Sequence, residues 1–367
     1  MAQIVKLTLT FTKNNYNTSM RTLLLLLFFA INNVALSLEP HQEPGVIGLM
    51  YHKFDEKKYP STNVKVKEFE KQIRMIRKMN LDFISIEEFD DYMHGHRELY
   101  NKRVLLTVDD AWASFYKNAW PILKKEGIPF VLFLNTREIN SKNRNYMTWA
   151  QVREIHESGL GVIGHHSYSH DYMVGWDQDT QRRDLERASQ DFMRELGSIP
   201  EYFSYPFGEY SLEFKALVKD MGFRLAFGQH SGVMDSVKDR YELPRFPINE
   251  NWGKMERFEM VLNTLPMPYK KFLPADKKVS EFNNPPQLEI EFVPGLKNLK
   301  NIVCTTNDGD SWPTVPLRFT GENTVVIEPL NPYKVRTARI NCSFADSAKK
   351  FRWLGIQFVL PHIAADK

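Results

Sequence analysis

Cysteine is scarce: the 367 residues hold two, Cys304 and Cys342. Their spacing of 38 positions excludes a paired-thiolate metal site and a disulfide-dense scaffold. Both fall in strand-like segments, so the sequence leaves open one disulfide or two separate buried thiols. An excess of one charge is also missing. Forty-eight basic residues against 45 acidic ones leave a net charge of +3 spread along the chain, which builds no field of the kind that gathers nucleic acid. Short clusters such as Lys57-Lys58 and Lys349-Lys350 read as solvated surface. No internal repeat stands out, and 43% hydrophobic with 25% charged residues excludes long disorder and a collagen-like period. No apolar run reaches the ~20 residues that a membrane span needs.

What is present begins with an export signature. Met20-Arg21 precedes the apolar stretch Thr22 to Ile31, and Ala35-Leu36-Ser37 follows as a small-x-small cleavage pattern. Residues 1–37 therefore read as an N-terminal extension and secretory signal peptide, with Met20 as the expected start. A buried core helix or an uncleaved anchor is the alternative. Export would place the mature chain in the periplasm or outside the cell, with no stable transmembrane segment after cleavage.

From Gly45 to about Pro266, apolar strand-like runs alternate with helix-length amphipathic segments. Val46–Tyr51, Val104–Val108, Phe130–Leu134, Gly161–Gly164 and Leu225–Gly228 are the expected strands. Val66–Met79 carries Phe69, Ile73 and Ile76 at helical spacing, and Asp179–Leu196 is a long charged helix candidate. Such alternation predicts an α/β fold, a parallel sheet or barrel covered by helices, with chemistry where strands end and loops begin. Prolines 266, 268, 274, 285 and 286 then punctuate an expected linker over 267–286. Beyond it, short strands at Gln287–Val293, Ile302–Thr306, Thr324–Ile327, Val335–Phe344 and Trp353–Val359 predict a small β-sandwich over 287–367. Packing against the catalytic region, 38–266, is its expected role.

Four segments carry chemistry. Leu105 to Asp110 is an apolar strand running into two adjacent acids. Neighbouring side chains on a strand point to opposite faces, so both acids serve one site only if the strand stops and the chain bends there; a helix cap or turn is the other reading. Gly164 to His170 holds three of the chain's ten histidines in six positions. Two imidazoles and one carboxylate form a set that leaves positions on a metal open to water and substrate. Phe203 to Tyr210 places Pro206 and Gly208 in an aromatic loop able to aim an amide N–H at a ligand. Met50-Tyr51-His52 ends the first strand. Trp112, Tyr168, Trp176 and Tyr210 lie near these motifs and could stack on a ligand or fill the core.

Together these segments resemble the polysaccharide deacetylases of the NodB-homology class, carbohydrate esterase family 4. Asp109-Asp110 stands where that family has Thr-Phe-Asp-Asp-Gly, and His166 to His170, with Ser167 after the first histidine, matches its His-x-x-x-His metal motif. The Tyr51-His52 segment, the Tyr205 to Gly208 loop and Leu243 to Phe246 look like the branch acting on poly-β-1,6-N-acetylglucosamine. The resemblance implies a distorted (β/α) barrel with fewer than eight strands and hydrolysis of N-acetyl groups from an amino-sugar polysaccharide. It implies Asp110, His166 and His170 as ligands of a divalent metal, usually Zn2+, Asp109 as general base and His52 as general acid. Phe207, Tyr205 and Arg245 would face the oxyanion or the substrate. Two positions depart from the family: Ala111 replaces its glycine, and Ser204 stands where many members have an arginine that orients the catalytic aspartate. His165 could serve as an alternative ligand, and His362 reads as surface. A glycoside hydrolase built on paired carboxylates and an inactive deacetylase-like carbohydrate-binding protein remain the competing readings. Nucleic acid is not an expected partner, and the sequence names no protein partner.

Overall fold

The computed structural model describes residues 44–365 apart from 308, 310 and 347–349. The expected signal peptide lies outside the described residues. Among the described residues, no helix is long and apolar enough to cross a membrane.

The chain opens on β1 (Val46–Tyr51), whose six residues are all buried. β2 (Lys53–Phe54) and β3 (Asn63–Val64) pair with each other in a small parallel ribbon. The main sheet then gathers β4 (Asp82–Phe83), β5 (Arg103–Asp109), β6 (Phe130–Leu134), β7 (Gly161–His165), β8 (Tyr202–Ser204), β9 (Leu225–Phe227), β10 (Val233–Met234) and β11 (Phe246–Pro247). Its order is β10-β1-β5-β6-β7-β8-β9, with β11 also on β1 and β4 on β5. Every pairing is parallel except β10 with β1. The continuous apolar runs of β1, β5 and β6 follow from burial on both faces, which parallel sheets impose. The sheet curls into the incomplete barrel that the alternation and the resemblance predict.

Helices close the outer layer. Val66–Lys78 buries Phe69, Ile73 and Ile76 against the core beneath β1 and β5, as their spacing predicts. Gln178–Leu196 starts where the Asp177 carboxylate accepts from the Thr180 N–H and stops at Gly197 in the left-handed region. The strand ends β1, β5, β7 and β8 consequently come together on one rim, where the loops carrying His52, Asp110, His166 and Phe207 begin.

The C-terminal region holds two small antiparallel sheets. β12 (Tyr269–Leu273), β13 (Leu288–Phe292), β15 (Leu317–Phe319) and β16 (Thr324–Ile327) form one, in the order β12-β13-β16-β15. β14 (Val303–Thr306), β17 (Thr337–Ala345) and β18 (Phe351–Val359) form the other. Alternate residues of β13 and β17, among them Ile290, Phe292, Ile340 and Cys342, fill a shared apolar core. Cys304 and Cys342 sit directly opposite each other on β14 and β17 and form a disulfide, which resolves the alternatives left by the sequence. The segment expected as a linker differs from that reading, because β12 lies inside it. Pro266, Pro268 and Pro274 flank β12 rather than interrupt it, and β12 is an edge strand, where missing N–H donors are tolerated.

The sandwich sits hard against the catalytic region. Gly355 of β18 donates its N–H to the Ser231 carbonyl at 2.6 Å, and any Cβ at position 355 would collide with the Ser231 backbone. Glycine is required by that approach.

Candidate active site

Asp109 is the last residue of β5, fully buried, and Asp110 and Ala111 after it both take left-handed backbone (φ 79° and 57°). This is the bend that lets two adjacent carboxylates face one site. Nine non-glycine residues have positive φ in the described chain, and five of them, Asp110, Ala111, Ser167, His170 and Phe207, belong to these loops. Each left-handed residue costs about 1–2 kcal/mol, so the surrounding packing holds these loops in strained geometry, as functional sites commonly do. A glycine at position 111, the family's residue, would take the same φ without that cost.

The histidine segment divides by strand alternation. His165 ends β7 with its ring inward, among Phe192, Phe203 and Phe223. Its Nε2 lies 3.1 Å from the Leu185 carbonyl, and its Nδ1 accepts from the Ser167 N–H at 3.1 Å. Burial drives its pKa down to about 3. The reading of His165 as an alternative ligand is therefore corrected: both ring nitrogens are engaged on the far side of the strand. His166 faces the rim instead. Its Nδ1 donates to the Ser204 carbonyl at 2.6 Å, leaving the Nε2 lone pair 3.4 Å from Asp110 Oδ1. His170 Nε2 approaches the same oxygen at 3.2 Å. Trp112 Nε1 donates to the other Asp110 oxygen at 3.1 Å and fixes the carboxylate plane.

Ligand atoms of Asp110, His166 and His170 all lie within 4.8 Å of one another. Asp110 Oδ1 and His166 Nε2 are buried and make no hydrogen bond. Orphaned buried acceptors facing each other are costly, and one carboxylate with two imidazoles is a donor set for a divalent cation with open positions. The residues fit a metal. Burial alone would raise the Asp110 pKa, yet His170 and His166 beside it hold the carboxyl well below the usual range. Burial likewise works against protonated His170, and Asp110 reverses the effect and raises it.

Asp109 is gripped by Arg245. Arg245 Nη1 and Nη2 donate to the two carboxylate oxygens at 2.8 Å each, and both side chains are fully buried. The remaining guanidinium donors reach Gly228 O, Thr107 Oγ1 and Ser204 Oγ at 3.0, 3.1 and 2.8 Å. Burial pushes the Asp109 pKa up, and Arg245 together with His166 and His52 more than offsets it, holding the carboxyl below its usual range. The placing of Arg245 among substrate contacts is thus corrected. From β11's entry it supplies the cation that the resemblance leads one to expect at position 204, where Ser204 Oγ instead accepts from Arg245 at 2.8 Å and donates to Asp109 Oδ2 at 3.5 Å.

His52 follows β1, half-buried, near enough to Asp110 and Asp109 that both charges act on its ring. Burial nevertheless lowers its pKa. It lines a groove of about 630 Å³ between the catalytic region and the sandwich. Phe207 has left-handed backbone (φ 58°) and a ring stacked on Tyr172, 3.9 Å between centroids, with His170 at 4.6 Å on its edge. Tyr205 is fully buried with its hydroxyl on the Tyr241 carbonyl at 3.0 Å, so its reading as a substrate contact is corrected too. Tyr210 is also buried, and Trp112 stacks on Tyr146 at 4.3 Å.

Sequence reasoning missed the supports of the Phe207 loop. Gln357 of β18 donates to the Phe207 carbonyl at 3.0 Å. Arg336 donates through Nε and Nη2 to the buried Glu209 carboxylate at 2.9 Å and packs over Tyr172. Long-range pairs of this kind leave no spacing signal.

Residues 96–226 match the family described as Polysaccharide deacetylase. A Staphylococcus epidermidis protein named poly-beta-1,6-N-acetyl-D-glucosamine N-deacetylase is 25% identical over 239 residues, spanning 60% of this chain and 80% of its own. The solved structure of IcaB from Ammonifex degensii superposes with a TM-score of 0.52 at 27% identity, covering 59% of this chain and 97% of that one. Streptococcus pyogenes deacetylase PplD, solved with acetate, shares the fold with a TM-score of 0.55 at 21% identity over 59% of this chain and 98% of its own.

Proposed function

Because the chain belongs to the polysaccharide deacetylase family and is an enzyme of that class, we propose that it removes N-acetyl groups from a β-1,6-linked N-acetylglucosamine polymer, releasing acetate, and does so with a bound divalent metal. The observation that carries the reading is the orphaned Asp110–His166–His170 cluster beside an ionised, immobilised Asp109. The β-1,6 linkage follows from the names of the relatives and from the Tyr51-His52 and Leu243 to Phe246 segments. Export to the periplasm or cell exterior follows from the leucine-rich segment ahead of residue 38 and from the extracellular setting of such a polymer.

Asp110, His166 and His170 would hold the cation, Zn2+ on this donor set, which when bound polarises the acetyl carbonyl and lowers the pKa of a water toward about 7. Asp109 accepts the proton of the attacking water. Arg245 keeps that carboxylate ionised and fixes its direction, so that little reorganisation is needed as the proton moves. The Phe207 N–H, aimed by its left-handed backbone, donates to the oxyanion that develops as the carbonyl carbon becomes tetrahedral. His52 gives a proton to the departing sugar nitrogen once it is protonated. Because burial lowers its pKa, it takes that proton from the site, where Asp109 holds the one removed from water, rather than keeping it at rest.

The test is acetate release from β-1,6-linked and β-1,4-linked N-acetylglucosamine oligomers by protein beginning near residue 38, with chelator and zinc add-back. Release that chelator abolishes and zinc restores supports the reading. No release from either oligomer by metal-loaded protein overturns it.

A further inference from the structure

The groove that begins at His52 does not stay within the catalytic region. Met50, His52 and Trp252 line it on one side, and Trp312, Arg339, Asn341 and Trp353 of the sandwich complete it. Its volume of about 630 Å³ is that of a ligand-binding cleft rather than a packing defect. Two features mark it as built for a ligand. Trp252 and Trp312 are 47% and 44% exposed, an unusual loss of burial for indoles. The Arg339 guanidinium, half-buried, donates to no acceptor among the described residues, and Trp353 Nε1 occupies Asn341 Oδ1 at 3.0 Å, leaving the Asn341 amide N–H groups without an acceptor there. Flat apolar faces with convergent unused donors match a pyranose, whose C–H face stacks on aromatic rings while its hydroxyl and acetamido oxygens accept hydrogen bonds.

We propose that the sandwich forms the far wall of the substrate groove: sugar residues adjoining the one being deacetylated lie against Trp312 and Trp353, and Arg339 and Asn341 donate to their oxygens. This rests on the deacetylase reading, and continuity with His52 is what makes the occupant the same polymer rather than a separate ligand. The sandwich is then a determinant of chain-length preference, and a single N-acetylglucosamine unit reaches only part of the binding surface.

The experiment compares kcat/KM on β-1,6-linked N-acetylglucosamine pentamer and dimer for the wild-type protein, Trp312→Ala and Arg339→Gln. The expected result is a pentamer-to-dimer ratio well above one in the wild type that falls about tenfold in each variant, the usual scale for losing an aromatic or arginine anchor. A ratio unchanged in both variants, or a fall that is equal on both substrates, overturns the proposal. If the wild type releases no acetate from any oligomer, the deacetylase reading fails instead. Pentamer binding by tryptophan fluorescence then decides the groove: saturable quenching weakened about tenfold by Arg339→Gln supports it, and no saturable quenching overturns it.

Discussion

Arg245 spends every N–H it has around Asp109: two on the carboxylate and three on Gly228, Thr107 and Ser204, which frame it. A fully buried ion pair of this kind contributes little net stability over an apolar pair, but removing one partner strands the other charge. Arg245→Met is expected to destabilise the protein by about 3–5 kcal/mol. Arg245→Lys, a point charge without the planar fork, should recover part of the stability and little of the activity. Denaturant midpoints and kcat/KM measured on the same preparations check both.

Base and ligand roles separate by metal content. Asp109→Asn is expected to keep stoichiometric metal and lose about 10²–10⁴-fold in kcat. His170→Ala should lose metal and activity together, since it removes one of the three proposed ligands. Elemental analysis beside acetate release distinguishes the two. Wild-type turnover by the Asn variant would reject Asp109 as the base.

A pH dependence of stability follows from His230, which is buried apart from the metal cluster. Burial lowers its pKa to about 4, against the opposing pull of Glu242. The unfolded chain binds that proton from about pH 6.5 downward and the folded one only near 4. Stability is therefore full above the unfolded value and declines as pH falls from about 6.5 to 4, by up to about 3 kcal/mol. Unfolding free energies across this window should rise with pH, and His230→Gln should flatten the slope by one proton.

The Phe207 loop is held from the sandwich by Arg336 on Glu209, whose own pKa is raised by burial against that pairing. Arg336→Met is expected to cost about 3–5 kcal/mol of stability and to lower kcat more than it changes KM, because the loop bearing the oxyanion donor loses its anchor. Arg336→Lys should rescue part of both. A rise in KM at unchanged kcat, with unchanged stability, would speak against the anchoring role.

Much of this was readable from residue order. Strand runs such as Val46–Tyr51 and Phe130–Leu134 coincide with the observed elements, because a buried parallel strand needs a continuous apolar run. Asp110, His166 and His170 were legible because adjacent acids at a strand end and histidines four apart are rare arrangements. What stayed hidden depended on register and distance. The single step from His165 to His166 turns one ring to the core and the other toward Asp110 and His170, and only the sheet's curvature decides which. Arg245 lies 136 positions from Asp109, and Tyr205, beside Phe207 in sequence, proved to be core. β12 was missed because its flanking prolines dominate a reading by composition.

Gln357 and Phe207 meet across 150 positions. A chain synthesised from its N-terminus has Asp110, His166 and His170, the proposed ligands, in hand long before Gln357 exists, and domains tend to fold in that order. The carbonyl of Phe207 finds its partner only when β18, made 150 positions later, docks beside Ser231. Completion of the rim thereby waits for the sandwich to dock, so a half-folded copy would carry Asp110, His166 and His170 without the finished loop.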